Sequence, residues 1–167
     1  QSDVVRRDFL ARRIRPFILR RKKEEVAQEL PPKTIIVRKV ELVGAQRDLY
    51  ETVRATMDAV VRAEVANKGL GRSQIIILDA LLKLRQVCCD PRLVKAASAQ
   101  RVKERAKLDL LMTLLPEQVD EGRRILLFSQ FTSMLALIEV ELKRVGLDYV
   151  ILTGDTTDRE TPVRRFQ

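Results

Sequence analysis

Residues 124–152 constrain the fold more than any other stretch, because two apolar runs flank a helical pattern. The first run, Arg-Ile-Leu-Leu-Phe, occupies residues 124–128, and the second occupies residues 147–152. Between them, apolar side chains recur at helical spacing over residues 131–145, and Gly146 provides a helix C-cap. Two strands joined by a helical crossover form a βαβ unit and lie parallel in one sheet. The sequence therefore predicts an α/β fold with an open parallel sheet.

A third strand and several helices are predicted from the remaining patterns. Residues 34–42 are rich in β-branched side chains, which favour a strand, and Gly44 ends this run. The predicted helices cover residues 3–14, 22–29, 45–67, 73–89 and 107–119, and a last one begins at Thr161. Because the chain stops soon after that helix begins, we expect a truncated sheet of about three strands with flanking helices.

The composition excludes several classes of protein. With 46% hydrophobic residues the chain is not disordered, and with 4% aromatic residues it lacks the stacking faces of sugar-binding or single-strand-binding proteins. The absence of histidine excludes Ser-His-Asp and Cys-His catalysis and most transition-metal sites. Cys88 and Cys89 are adjacent and cannot form a four-ligand zinc site, so we expect a reduced thiol pair on a helix. The chain is therefore expected to contain no catalytic residue and no metal site.

Targeting segments are absent from the sequence. No apolar run approaches the roughly 20 residues of a membrane-spanning helix, and no apolar core follows the charged N-terminus as it would in a signal peptide. These features predict a cytoplasmic protein with no membrane partner. The sequence does not begin with methionine, so we expect a piece of a longer polypeptide.

Positive charge is concentrated at the N-terminus. Residues 1–23 contain nine basic and two acidic side chains, so they carry +7 of the net charge of +9. Such a concentration points to a polyanion, of which a phosphate backbone is the commonest. The alternative is that these residues pair with acidic surface elsewhere in a longer protein. Composition favours neither interpretation.

Small polar residues follow two of the predicted strands. Ser129 and Gln130 come directly after the run at 124–128, and Thr-Gly-Asp at 153–155 follows the next predicted strand. Ligands of open parallel sheets bind at the carboxyl ends of the strands. Hydroxyls, amides and helix N-termini at these ends are suited to an anion.

Motifs for nucleotide hydrolysis are missing. None of the six glycines belongs to a phosphate-binding loop that ends in Gly-Lys-Ser/Thr, and no Gly-x-Gly-x-x-Gly pattern is present. Asp120 and Glu121 lie in a predicted turn, whereas carboxylates that hold Mg²⁺ beside a nucleotide lie at a strand end. We therefore expect that the chain alone does not hydrolyse a nucleotide.

Four stretches of the chain match one family in the same order. One stretch resembles a segment that joins two motor lobes; it consists of Arg-Pro-Phe-Ile-Leu-Arg-Arg-Lys-Lys at 15–23 followed by Leu-Pro-Pro-Lys at 30–33. Residues 84–94 resemble a leucine-arginine-glutamine helix, and residues 125–135 resemble motif IV. A following phosphate-contact loop and helix is matched by residues 152–156, Arg159, Val163 and Phe166. Together these stretches resemble the Swi/Snf-type ATPases, which are superfamily-two helicase-like DNA translocases.

The resemblance implies a domain organisation and a function. Residues 1–33 would be a basic helical interlobe segment, and residues 34–167 the first half of the second RecA-like lobe, incomplete at its C-terminal end. The chain would be part of an ATP-dependent double-stranded DNA translocase or remodelling motor. The ATP and Mg²⁺ of the intact parent would bind through motifs outside this chain. The short loop between Thr156 and Arg159 resembles that of bacterial members, for which the location would be nucleoid-associated.

The resemblance also implies which residues contact DNA. The phosphate contacts carried over from the family are Gln130, Thr153, Gly154, Thr156 and Arg159. The basic residues carried over beside the interlobe hinge are Arg20, Arg21 and Lys22. Arg85 and Gln86 are interpreted mainly as residues of internal packing and hydrogen bonding.

Local structural roles stay open for these residues. Gln130 and Thr156 are also typical helix-capping residues, and Arg159 is placed to form a surface ion pair with Asp155 or Glu160. Arg20 and Arg21 also fit a solvated face.

The expected partners are double-stranded DNA, the first RecA-like lobe of the same parent, and a second copy through the open sheet edge. Two other functions remain in consideration. One is a stand-alone basic adaptor that binds nucleic acid or protein. The other is an unrelated α/β nucleotide-binding enzyme, which the missing phosphate loop disfavours.

Overall fold

Helices account for the regular secondary structure in the computed structural model, which describes residues 2–27 and 29–167. The α-helices are α1 Ser2–Ile14, α2 Lys23–Val26, α3 Gly44–Lys68, α4 Gln74–Cys89, α5 Ala106–Asp120, α6 Thr132–Val145 and α7 Glu160–Phe166. Short 3₁₀ helices lie at Arg15–Phe17, Leu70–Arg72, Pro91–Leu93 and Ala99–Arg101. The helices predicted from the sequence are present. Of these, α2 is shorter than the predicted helix at 22–29, in which Gln28 lies outside the described residues.

The chain divides into two compact units, Gln1–Arg38 and Lys39–Gln167. In the first unit the described side chains of α1 are exposed, and the Arg13 guanidinium lies 4.5 Å from the centre of the Phe9 ring. None of this unit's described residues is buried, so these residues form no core among themselves. The assignment of an interlobe segment and a motor lobe to residues 1–33 and 34–167 stays a prediction.

In the second unit, α3 and α4 pack along each other as a helical pair. The half-buried side chains of α3 recur every fourth residue and so form one face of the helix. They include Leu49, Val53, Met57, Val61 and Val65. On α4 the buried residues are Ala80 and Val87. The period of the apolar residues therefore gives both helices a buried face.

Gln46 joins three helices near the start of α3. Its side chain is fully buried, and its Nε2 donates to the Val87 carbonyl of α4 at 2.9 Å. Its Oε1 accepts a hydrogen bond from the Ala106 backbone N–H at the start of α5, at 3.0 Å. Because buried polar atoms need partners, this amide fixes where α4 ends relative to where α5 begins.

A small apolar core lies between α5 and α6. Its fully or nearly fully buried members are Leu108 on α5 and Met134 and Ile138 on α6. Partly buried side chains pack around these three; they are Cys89, Leu93, Leu111, Met112, Leu127, Phe131, Leu137 and Leu142. The core therefore holds the end of α4 and the start of α6 on one side of α5.

Gly146 ends α6 in the left-handed conformation. Its φ is +73°, and its backbone N–H donates to the carbonyls of Leu142 and Lys143. A residue with a Cβ is disfavoured at this φ, which is why glycine is common just after a helix. The C-cap predicted from the sequence is confirmed.

The predicted parallel sheet is wrong. Residues 124–128, 147–152 and 34–42 have no regular secondary structure, and no strand occurs within residues 2–27 and 29–167. None of the backbone hydrogen bonds recorded there joins one of these segments to another. Local sequence favours extended backbone in apolar and β-branched runs, whereas a strand also needs a partner at the correct distance and register. That second condition is not met here.

The unpaired segments border an open apolar cleft instead. Residues 125–128 and 147–152 line a cavity of about 790 Å³ together with side chains of α6 and α7. Strands of parallel sheets are covered on both faces, whereas here Phe128 is 87% exposed and Leu126 is 67% exposed. The expected self-association through an open sheet edge therefore loses its structural basis.

In the described part of the chain, no helix is both long enough and apolar enough to cross a membrane.

Candidate nucleic-acid interface

Gln130 lies at a bend in the short non-helical segment that leads into α6. Ser129 Oγ accepts a hydrogen bond from the Phe131 backbone N–H at 3.2 Å, which caps the approach to the helix. The Gln130 side chain is exposed, and its Oε1 accepts a hydrogen bond from the Arg85 guanidinium of α4. The amide is therefore held by Arg85 and does not cap α6.

The loop that contains Thr153, Gly154 and Thr156 is a closed turn. The Thr153 N–H donates to Thr156 Oγ1 at 2.9 Å, and the Thr156 N–H donates to the Thr153 carbonyl at 3.3 Å. The two hydroxyl oxygens are 3.5 Å apart. Thr156 thus closes the turn and does not cap a helix, and its hydroxyl still carries a hydrogen to donate. The Gly154 backbone is exposed beside it.

Arg159 lies next to this turn, immediately before α7. Its Nε is 3.5 Å from the Thr156 carbonyl, and its side chain forms no ion pair with any described residue. The alternative in which Arg159 forms an ion pair with Asp155 or Glu160 is therefore not found in the structure. The exposed guanidinium is available to an anion.

Asp158 shapes the start of α7. Its Oδ1 accepts hydrogen bonds from the backbone N–H groups of Glu160 and Thr161, each at 3.1 Å. Hydrogen bonds from Thr161, first from its side chain, lower the pKa of the Asp158 carboxyl. This carboxylate is committed to the helix start and leaves Arg159 unpaired.

The basic residues carried over beside the hinge lie in the first unit. Arg20, Arg21 and Lys22 are exposed in a segment without helix, directly before α2. Lys22 Nζ lies 3.6 Å from a carboxylate oxygen of Glu25, a weak surface pair. The exposure of Arg20 and Arg21 fits the solvated face that the sequence left open for them.

The structure joins the predicted residues into separate groups. Gln130 contacts Arg85, whereas Thr153, Thr156 and Arg159 contact one another. Among the described residues, no recorded hydrogen bond or ion pair links the first group to the second.

Residues outside the predicted DNA contacts surround Gln130. Tyr50 of α3, Arg85 of α4 and Lys107 of α5 line a cavity of about 330 Å³ that Gln130 also borders. Arg85 is exposed and so does not have the predicted packing role, whereas its predicted internal hydrogen bonding is present in the bond to Gln130. No sequence pattern pointed to Lys107, because only the packing of α5 against α4 brings it to this cavity.

The two cysteines lie at the wall of the same cavity. Both are free thiols and half-buried near the end of α4, as expected of a reduced pair. Burial raises the pKa of the Cys88 thiol, and the positive charge of Lys107 opposes that rise. The thiol form is therefore favoured at neutral pH.

The carboxylates of the described chain are not arranged for Mg²⁺. No group of three or more His, Cys, Asp or Glu residues that would hold a metal ion occurs among the residues described. The buried Asp90 accepts two hydrogen bonds from the Arg92 guanidinium, each at 2.8 Å, and Glu121 is paired with Arg123. These carboxylates are already paired with arginines and do not fit a Mg²⁺–nucleotide complex, so they take no part in ATP hydrolysis in this arrangement.

Comparison with known families identifies the chain. The family model of the SNF2-related domain matches residues 3–93, which is more than half of the sequence. The chain belongs to the SNF2 family. The Swi/Snf-type resemblance of the sequence is thereby confirmed, and the motifs at 15–23 and 84–94 fall within the SNF2 match or at its end.

The SNF2 relatives include plant and bacterial proteins. Protein CHROMATIN REMODELING 4 of Arabidopsis thaliana is 30% identical over 94% of this chain and 8% of its own length. A probable chromatin-remodeling complex ATPase chain of Oryza sativa subsp. japonica is 33% identical over 99% of this chain and 15% of its own. An uncharacterized ATP-dependent helicase of Mycoplasma genitalium is 29% identical over 94% and 15%.

The chain thus spans between 8% and 15% of the length of these three curated relatives. No solved structure matches it. Because the relatives come from plants and from a bacterium, the expected bacterial origin stays a prediction.

Proposed function

We propose that this chain is part of an ATP-dependent motor that moves along double-stranded DNA or remodels complexes on it, and that it supplies contacts to the phosphate backbone. The observation that carries the proposal is the SNF2 match over residues 3–93. Relatives named as chromatin-remodeling ATPases or ATP-dependent helicases align with nearly all of the chain.

The exposed donors of the second unit support a phosphate-contacting role. Arg159 presents an unpaired guanidinium beside the Thr153–Thr156 turn, and Gly154 leaves its backbone open to a close approach. Contacts of this kind position a protein on DNA without reading its bases. A motor that moves along any sequence requires this type of contact.

The intact parent is proposed to use ATP with Mg²⁺ and to contain a first motor lobe that contacts this segment. The nucleotide supplies the energy for movement, and it binds outside the residues described here. The parent is expected to work in the DNA-containing compartment of its cell.

Duplex-DNA binding tests the proposal directly. Affinity is measured by fluorescence anisotropy over a salt series, with several unrelated duplex sequences. We expect weak binding that is equal for all sequences, with a slope of roughly −4 in log affinity against log salt, because four to five phosphates are contacted. Arg159→Ala should reduce the slope by about one and weaken all sequences alike.

Arg54→Ala is the matched control, because it removes the same charge from α3, where Arg54 is paired with Glu51 at 2.7 Å. It should leave the slope near that of the unaltered chain. A chain that does not bind duplex DNA at any salt concentration would contradict the proposed function. An effect of Arg54→Ala equal to that of Arg159→Ala would show nonspecific attraction only.

A second candidate is a stand-alone basic adaptor, and the charge of the N-terminal segment favours it. Residues 1–23 carry +7, and Arg20 and Arg21 are fully available in the first unit. If changing both arginines to alanine abolishes DNA binding while Arg159→Ala has no effect, the adaptor function replaces the motor function.

A further inference from the structure

A small cleft lies between α3, α4, α5 and the segment before α6. Its polar side chains are Tyr50, Arg85, Lys107 and Gln130, and its volume is about 330 Å³. The rest of the wall is apolar and is formed by Leu81, Leu84, Cys88, Cys89 and Phe131. No Asp or Glu lines it, so the polar groups of the cleft are hydrogen-bond donors and two positive charges.

The two positive charges are not compensated within the described chain. Arg85 and Lys107 are exposed, and neither belongs to an ion pair among the described residues. On the same helix as Arg85, Lys83 is paired with Asp79 at 2.8 Å. Two like charges that face one cavity repel each other, and an anion bound between them removes that repulsion. The cleft therefore favours a negatively charged ligand over a neutral or positively charged one.

The donor geometry indicates an oxyanion with several acceptor atoms. Gln130 Oε1 accepts from the Arg85 guanidinium, which leaves the Gln130 NH₂ group free to donate. Arg85 keeps further N–H groups, Lys107 has three, and the Tyr50 hydroxyl adds one. Guanidinium and ammonium groups with an amide are typical ligands of phosphate oxygens.

A backbone phosphodiester fits these donors better than a nucleotide does. A phosphodiester carries one negative charge, which the two cations of the cleft more than offset, so no metal ion is needed. Nucleotide di- and triphosphates bind with Mg²⁺, which requires carboxylate ligands, and the cleft lining has none.

We propose that the cleft formed by Tyr50, Arg85, Lys107 and Gln130 binds one phosphate of the DNA backbone. This inference rests on the proposed function and deepens it, since it adds three residues to the interface and explains how Gln130 is held. Arg85 orients the Gln130 amide and contacts the phosphate, and Lys107 supplies the second charge from α5. The site reads no base, because only phosphate-binding donors face the cleft.

Salt-dependent DNA binding by the full chain tests the site. Arg85→Ala and Lys107→Ala should each reduce the slope of log affinity against log salt by up to about 0.9. Lys83→Ala on α4 and Lys103→Ala before α5 are matched controls outside the cleft, and they should keep the original slope. Circular dichroism of each variant checks that the helices are intact.

Alkylation of Cys88 provides a second readout without altering the four proposed ligands. In a Cys89→Ser chain, saturating duplex DNA should reduce the rate of Cys88 alkylation, because a phosphate in the cleft covers the thiol. Inorganic phosphate at matched ionic strength is the comparison, and it should protect Cys88 less than DNA does. Protection by inorganic phosphate but not by DNA would identify a site for free anions and overturn the assignment to the backbone.

The outcomes separate this inference from the proposed function. If the chain binds DNA but Arg85→Ala and Lys107→Ala keep the original slope and Cys88 is not protected, this cleft is not a phosphate site and the motor proposal stands. If the unaltered chain does not bind duplex DNA, both proposals fail.

Discussion

Gln46 illustrates how one polar side chain organises the second unit. Both ends of its amide are used, one by the Val87 carbonyl and one by the Ala106 N–H, and the side chain is fully buried. Sequence patterns do not reveal such a residue, because a glutamine near the start of a helix is usually exposed. Its partners lie on other helices, so only the packed structure identifies it.

Gln46→Leu should destabilise the second unit. The leucine fills similar space but leaves the Val87 carbonyl and the Ala106 N–H without their partner, which should lower the free energy of unfolding by about 2 kcal/mol. Urea unfolding followed by circular dichroism measures the loss. Gln74→Leu, at the exposed start of α4, is the control and should change stability little; equal effects would show that the bridge is not important.

Glu141 on α6 should make stability depend on acid pH. Its carboxylate accepts from Arg144 Nε at 2.8 Å and from Arg105 Nη1 at 3.1 Å, and these bonds, led by that of Arg144, lower its pKa. Because the folded-state pKa lies below the unfolded value, the stabilisation is complete above the unfolded pKa and is lost as pH falls through the folded one.

The measurement is urea unfolding over a pH series that runs from neutral to well below 4.5, the ordinary glutamate value. Glu141→Gln should be less stable at neutral pH and should show a flatter decline on acidification. Glu117→Gln on the exposed face of α5 should follow the unaltered chain. A Glu141→Gln curve parallel to the unaltered one would contradict the assignment.

At the scale of residues, local sequence accounts only for local contacts. The Thr153–Thr156 turn forms from neighbouring residues, although Thr156 closes this turn and does not cap a helix, which was the alternative that the sequence left open. The packing role of Arg85 was wrong because its exposure depends on which side of α4 the other helices cover, which local sequence does not determine; its hydrogen bonding was predicted. Lys107 could not be found, since its position relative to Arg85 is set by tertiary packing.

At the scale of elements, helices were predictable and strands were not. A helix forms its hydrogen bonds within one segment, so apolar spacing and caps such as Gly146 place it well. An extended run such as 124–128 gains ladder bonds only from a second segment, whose position the local sequence does not determine. The same apolar residues therefore line a cleft here.

Gly146→Ala should weaken the end of α6. A Cβ at Gly146 would have open space around it, so the cost is that of placing alanine at a φ of +73°, about 1 kcal/mol. Thermal unfolding by circular dichroism should show the lower stability. Gly71→Ala is the control, because that glycine has open space and no positive φ. A Gly146→Ala chain as stable as the Gly71→Ala chain would overturn this account of the cap.

At the scale of the whole molecule, the order of motifs was more informative than the predicted fold. The stretches at 15–23 and 84–94 identified the family because their residues are specific in type and order, whatever backbone they adopt. The predicted sheet depended on pairing between distant segments, and that part failed. Family and architecture were thus predicted by different kinds of sequence information.

Limited digestion with trypsin should cut residues 29–43 before it cuts α3. Residues 29–43 contain no helix and are mostly exposed, and Lys33, Arg38 and Lys39 offer cleavage sites there. Cleavage requires extended backbone, whereas Arg47 and Arg54 lie in α3, which must first open. Mass spectrometry at early times should detect cuts at 33–39 before cuts within α3. Simultaneous cleavage of both regions would contradict the difference in protection.

The open apolar cleft beside α6 affects how the protein will look in common laboratory assays. Dyes such as ANS fluoresce when they enter exposed apolar surface, and their fluorescence is usually taken as the sign of a molten globule. We expect a cavity of about 790 Å³ bordered by an 87% exposed Phe128 to bind such a dye while the helices are intact. A high initial signal in a dye-based thermal melt would therefore report this native cleft, and circular dichroism is the better measure of unfolding for this molecule.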